Sequence, residues 1–173
     1  GSHARKIEGF QSAGTAAAIS ADGKRVAAGS NSGDVLVWDV GTGKETWPRI
    51  GHRSRVARIV WSPDGARVLT IDGNGALACW DAAKDQPAWS MEDANAGSAA
   101  FAGDATQVVF TGDGSKLEWL NGATGARTRT SQGPGKTRFA VFSPDGRRLA
   151  TVVPPGKLEL RELEQNVVRW SAD

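Results

Sequence analysis

Few residues in this chain are equipped for chemistry, and their spacing limits what they can do. It has two histidines, His3 and His52, and one cysteine, Cys79. A histidine acting as general base needs an orienting partner and a nucleophile in reach. The sequence has no nucleophile elbow, no histidine pair at metal-ligand spacing and no cysteine pair. Asp72-Gly73-Asn74-Gly75 and Gly112-Asp113-Gly114-Ser115 have a composition suggestive of calcium loops, yet each supplies a single carboxylate. Calcium takes about six to eight oxygens, several of them carboxylate. Tight hairpin turns, which need positive φ, account for the Gly and Asn in both stretches. Gly133-Pro134-Gly135-Lys136-Thr137 superficially matches a phosphate loop, but it lacks the glycine spacing before its Lys and a helix after it. It reads as a connection. No catalytic, cofactor-binding or metal-binding residue is therefore expected, and no cofactor.

The elements that carry these residues repeat. Ser62-Pro63-Asp64-Gly65 returns 81 residues later as Ser143-Pro144-Asp145-Gly146, with imperfect copies at Ser20-Ala21-Asp22-Gly23 and Ala102-Gly103-Asp104-Ala105. Trp38-Asp39 and Trp80-Asp81 lie 42 apart, and the same column continues as Leu120-Asn121 and Arg161-Glu162. Another column reads Trp47, Trp89, Arg129, Trp170. Columns that share one period of about 41 residues indicate a single supersecondary unit copied in series. Within the second copy, Val56–Ser62, Arg67–Ile71, Leu77–Trp80 and Ala88–Met91 are short apolar runs divided by turn residues. Such runs predict antiparallel strands, and no apolar stripe at helical spacing competes with them. Four strands per unit, each unit stacked on its neighbours, is a propeller blade. The expected fold is all-β: a β-propeller with four tandem four-stranded antiparallel blades per chain. Residues 1–3 read as a tag remnant. Residues 4–173 read as the propeller domain, with repeats at about 9–50, 51–92, 93–131 and 132–173.

With Gly51-His52 opening the second repeat, Ser62-Pro63-Asp64-Gly65 after its first strand and Trp80-Asp81 closing its third, the chain resembles the WD-repeat (Trp-Asp repeat) β-propellers over residues 9–170. The resemblance implies a rigid ring that binds other proteins. It also implies a buried hydrogen-bonded set of His, Ser or Thr, Trp and Asp in each blade. The second repeat offers His52, Thr70 and Trp80 for that set, with Asn74 where the Asp is expected, and Trp38 stands in the Trp column of the first. Elsewhere the set is mostly lost: Phe10, Glu92 and Gly133 fill the His column, and Ala28, Phe110 and Thr151 the Thr column. A second resemblance is to quinoprotein-type propellers, carried by Trp38-Asp39-Val40-Gly41-Thr42-Gly43-Lys44-Glu45-Thr46-Trp47 and echoed by Asn121-Gly122-Ala123-Thr124-Gly125. That group includes quinone-binding members and non-catalytic assembly factors.

Composition narrows the function further. A net charge of +2 gives no reason to invoke nucleic acid or a membrane as partner. One cysteine excludes an internal disulfide and leaves the redox compartment open. Five of the seven Trp fall in the two Trp columns, which argues for structural roles. Propellers close with roughly four to eight blades. Blades of this length favour wider rings, and four left open would expose apolar end faces and a strand edge. Two chains joined head to tail would close an eight-bladed ring, so a homodimer is expected, with a compact four-bladed monomer as the alternative. Function then falls to the loops at the channel mouth. Arg53 and Arg55 in one blade and Glu92 and Asp93 in the next are the candidate contacts for another protein or peptide. The expected function is a non-enzymatic protein-interaction scaffold. The alternative is a propeller fragment or domain of a larger enzyme or signalling protein, or a quinoprotein-like propeller.

Overall fold

Turn chemistry sets the strand rhythm. The Ser62 hydroxyl donates to Asp64 Oδ1 at 2.5 Å and accepts from the Arg67 amide at 2.9 Å, while the Ala66 amide donates to Asp64 Oδ1. The same turn recurs at Ser20–Asp22–Arg25 and at Ser143–Asp145–Arg148. In all three, the Ser hydroxyl is the main reason the Asp carboxyl lies below its ordinary pKa. The third repeat has no Ser here. Its turn runs instead through Gly103, Asp104 and Ala105, all at positive φ.

The computed structural model describes residues 11–47, 50–84, 86–112, 115–135 and 139–172. Residues 1–10, Phe10 among them, lie outside these residues, as do Asp113, Gly114, Lys136 and Thr137. Among the described residues, sixteen strands form four antiparallel sheets, each in sequence order. The first holds β1 (Gly14–Ile19), β2 (Arg25–Ser30), β3 (Asp34–Asp39) and β4 (Ile50–Gly51). The second holds β5 (Val56–Trp61), β6 (Arg67–Asp72), β7 (Leu77–Asp81) and β8 (Pro87–Met91). The third holds β9 (Ser98–Ala102), β10 (Gln107–Thr111), β11 (Lys116–Asn121) and β12 (Arg127–Gln132). The fourth holds β13 (Phe139–Phe142), β14 (Arg148–Val153), β15 (Lys157–Glu162) and β16 (Val167–Ala172). Gly51, whose sequence position suggests the opening of the second repeat, closes the first sheet by pairing with Asp34.

The columns are also structural registers. Val26 pairs Trp38, Val68 pairs Trp80, Val108 pairs Leu120 and Leu149 pairs Arg161. A register shift falls at the matching step in three blades, Cys79/Trp80, Trp119/Leu120 and Leu160/Arg161.

Among the described residues, three apolar layers lie between the sheets. Val35, Val37 and Trp47 of the first blade meet Ile59, Trp61, Val68 and Trp80 of the second. Leu69, Leu77 and Trp89 of the second meet Phe101, Val108 and Leu120 of the third. Val109, Leu117 and Trp119 of the third meet Phe142, Leu149 and Leu163 of the fourth. Each of the first three blades thus turns a forward face to its successor, and each of the last three a back face to its predecessor.

Polar bonds fix the stacking angle. Trp47 Nε1 donates to the Ala82 carbonyl and Trp89 Nε1 to the Gly122 carbonyl, both at 3.0 Å, and the Arg129 guanidinium reaches the Glu164 carbonyl at 3.4 Å. Arg25 donates to the Gly65 carbonyl at 2.7 Å and Arg67 to the Ala105 carbonyl at 3.2 Å. Inner strand β1 packs on β5, β5 on β9 and β9 on β13; among the described residues no comparable packing joins β13 back to β1.

Candidate functional site

The second blade brings His52, Thr70 and Trp80 together. Thr70 is fully buried on β6, and Trp80 on β7 is 3% exposed. Trp80 Nε1 donates to Thr70 Oγ1 at 2.7 Å, and His52 Nε2 lies 2.6 Å from the same oxygen. The hydroxyl has one hydrogen to give once it has accepted from Trp80. We therefore assign His52 the neutral tautomer in which Nε2 accepts that hydrogen and Nδ1 carries its own. Nδ1 faces Asp72 Oδ2 at 3.8 Å. The imidazole also sits edge-on to Trp80, with ring centroids 6.1 Å apart.

Asp72 is the acidic member of this set, which corrects the expectation placed on Asn74. Asp72 ends β6 and is buried; its Oδ1 accepts from the Asn74 and Ala76 amides at 2.9 Å. Asn74 is at the hairpin tip and exposed. With one oxygen closing the turn and the other facing His52, the carboxylate is committed within the fold. Trp38, in the matching column of the first blade, is 5% exposed and stands opposite Val26, with Ala28 in the Thr column. A methyl cannot take the place of the Thr hydroxyl. In the fourth blade, Thr151 is buried with no partner for its hydroxyl among the described residues.

Burial outweighs the opposing charges of Asp72 and Glu92 and holds the His52 pKa below its ordinary value of 6.5. The consequence for stability has a definite sign. The unfolded chain binds a proton at His52 more readily than the folded one. Stability is therefore unaffected above the ordinary value and falls as pH drops through it towards the folded value. Urea midpoints taken between about pH 5 and 8 should show this decline, and His52→Gln should flatten it. An equal slope in both proteins would place the titration elsewhere. Nε2 of His52 is engaged by Thr70, and Nδ1 faces the Asp72 carboxylate beyond hydrogen-bond distance. Cys79 is unsuited to chemistry, being buried with its thiol pushed up to about 12 by desolvation.

Arg53 and Arg55 lie on the β4–β5 loop and Glu92 and Asp93 on the β8–β9 loop, and all four are exposed. The loops of this face are tied together through backbone. The His52 amide donates to the Gly33 carbonyl, the Gly73 amide to the Arg55 carbonyl and the Ala96 amide to the Gly75 carbonyl, at 2.8–2.9 Å. The two arginines and two acids thus share one face on a stiff frame. No salt bridge among the described residues joins them.

A cavity of about 1020 Å³ runs along inner strands β1, β5, β9 and β13 towards the Ser-Pro-Asp-Gly turns on the opposite side. Its walls include Ala17, Ala57, Val60, Ala100 and Val141, and none of the four loop residues lines it. The small residues of Ala16-Ala17-Ala18 and Ala99-Ala100 are its trace in the sequence.

Comparison with known proteins agrees with this geometry. A family model described as outer membrane protein assembly factor BamB matches residues 4–131. The chain belongs to that propeller family, and its repeats are WD repeats. The WD repeat-containing protein sll1491 of Synechocystis is 31% identical over 109 residues, covering 62% of this chain and 28% of that protein. The WD repeat-containing protein slp1 of Schizosaccharomyces pombe is 26% identical over 130 residues, covering 72% and 27%. This WD-repeat chain therefore spans little more than a quarter of the length of these two relatives. Among solved structures, that of U3-55K superposes with a TM-score of 0.78 over 96% of this chain and 54% of that one. At 17% identity the likeness is one of fold.

Proposed function

We propose that this WD-repeat chain is a non-enzymatic scaffold that binds another protein or peptide at one mouth of its channel, in a ring that two copies close head to tail into eight blades. The observation that carries the reading is the open arc. Four blades stack in series, among the described residues no packing comparable to that of β1 on β5 joins β13 back to β1, and the blades match about half of a larger propeller chain. Two such arcs amount to about one ring. The scaffold role draws on the committed state of His52 and Asp72, the inert thiol of Cys79 and the company of WD-repeat relatives. Arg53 and Arg55 are the leading contacts, because Arg on a stiff loop presents a planar fork for carboxylate at low ordering cost.

A second reading is favoured by the short span of this chain against its relatives: the blades serve as one part of a larger protein. Light scattering at several concentrations separates the two. A mass twice that of the 18.1 kDa chain supports closure by a second copy, and a constant monomer rules it out. For the loop assignment, Arg53→Glu with Arg55→Glu should weaken capture of a bound protein by about tenfold or more. Unchanged capture sinks that assignment, and a bound chromophore in an absorbance scan would overturn the non-enzymatic reading.

A further inference from the structure

The seven large hydrophobic residues that stand exposed among the described residues are Ile19, Val40, Val141, Leu158, Val167, Val168 and Trp170. All belong to the first or the last blade. Their columns explain why. In the column that faces forward, Trp47 and Trp89 are 3% and 9% exposed at the first two junctions, whereas Trp170 is 48% exposed. Leu77 and Leu117 are fully buried by the next blade, but Leu158 at the matching position is 36% exposed. The column that faces back shows the reverse. Trp61, Phe101 and Phe142 are buried against the preceding blade, and Ile19 is 61% exposed. The last blade therefore carries an unused forward face and the first an unused rim of back face. Leu36 and Trp38, on the inner part of that back face, are already buried in the single chain, so Ile19 and Val40 are what remains open.

The junctions inside the chain also supply a polar rule. The Trp of the forward column donates to the carbonyl just after the third strand of the next blade, at Ala82 and at Gly122. The Arg that begins the second strand donates to the turn of the next blade, at Gly65 and at Ala105. Applied to the chain ends, the rule pairs Trp170 with the carbonyl of Val40 and Arg148 with the carbonyl of Gly23. Arg148 is exposed and held through its Nε by Glu162 at 2.9 Å.

We infer that the forward face of the fourth blade docks on the back-face rim of the first blade of a second copy. Trp170 Nε1 donates to the Val40 carbonyl of that copy, and Leu158 and Val141 cover Ile19. The inference rests on the closure reading above and specifies its junction. A second copy is the occupant because one chain holds both halves of the match, donors and apolar side chains at one end and acceptors and rim at the other. At the rim it also continues the outer part of a contact made three times within the chain. The face is heterologous, so two of these junctions close a dimer.

The test uses Trp170→Arg and Val40→Arg, both at positions exposed in the single chain, with Leu158→Lys as a second forward-face variant should either fail to fold. Each is measured by light scattering beside a thermal melt. Each variant alone should self-associate at least about tenfold more weakly than the parent, with its melt little changed. An equimolar mixture of Trp170→Arg and Val40→Arg should regain dimer. In the mixed pair both substitutions fall at one junction and the other junction is untouched. A parent dimer indifferent to these substitutions overturns the junction and leaves closure standing. Two monomeric variants that do not complement show a face other than head to tail and also overturn it. A parent protein that is monomeric at every concentration removes closure and junction together.

Discussion

Trp80→Ala is expected to destabilise the chain by roughly 3–5 kcal/mol, the range for emptying a buried aromatic site. Two losses combine. The indole fills the first junction, 6.4 Å between ring centroids from Trp47 and packed with Val68 and Ile59, so its removal leaves a cavity that two sheets must relax to fill. Its N–H is also the donor to Thr70, whose buried hydroxyl then keeps only His52. Trp80→Phe separates the terms, because it keeps most of the volume and loses about 1 kcal/mol of hydrogen bond. Trp38→Ala falls in the same range, since Trp38 is as buried as Trp80 and occupies the same register. Urea denaturation reads all three. Melting curves unchanged by both Ala substitutions would place these Trp on the surface and overturn the blade register.

The register was legible in the sequence because the turn and the Trp columns depend on side chains that nothing else replaces. Ser62 and Asp64 close their turn by mutual hydrogen bonds, and the same chemistry writes the same letters at Ser20–Asp22 and Ser143–Asp145. Where another turn does the work, as at Gly103-Asp104-Ala105, the letters drift although the strands remain in place. The polar set of the second blade was harder to read. Asp72 and Asn74 are two residues apart in a hairpin, and composition alone does not tell which one turns inward. Pairing settles it: Asp72 still pairs Val56 at the end of β6, whereas Asn74 has left the sheet. The cavity along the inner strands escaped for a different reason. Small residues such as Ala17 and Ala57 carry no chemical signature, and only the packing of four inner strands turns them into a wall.

The second large effect concerns the turn glycine itself. Gly23, Gly65 and Gly146 occupy the same place in three blades, at φ of 71°, 67° and 65°. Gly→Ala forces a Cβ into the left-handed region at each, a local cost of about 1–2 kcal/mol common to all three. What differs is the neighbour. At Gly23 the new Cβ meets nothing within 4 Å. At Gly65 it meets the end of the Arg25 side chain at 3.1 Å, which can swing aside at the expense of its bond to the Gly65 carbonyl. At Gly146 it collides with the Phe101 carbonyl oxygen and lies 2.7 Å from Ala102 Cβ and 2.9 Å from Ala102 Cα, on the backbone of the preceding blade. Backbone within a sheet cannot step back alone, so Gly146→Ala should cost about 1–3 kcal/mol more than Gly23→Ala, the range for overpacking a filled site. Urea midpoints of the three variants, measured at concentrations where the chain is monomeric, should rank Gly23→Ala as mildest and Gly146→Ala as most severe. The shared strain cancels in the difference, and what remains measures how tightly the fourth blade is pressed on the third. Equal losses at all three positions would mean that the Gly146 turn does not rest on β9 and that the last junction is looser than the first two.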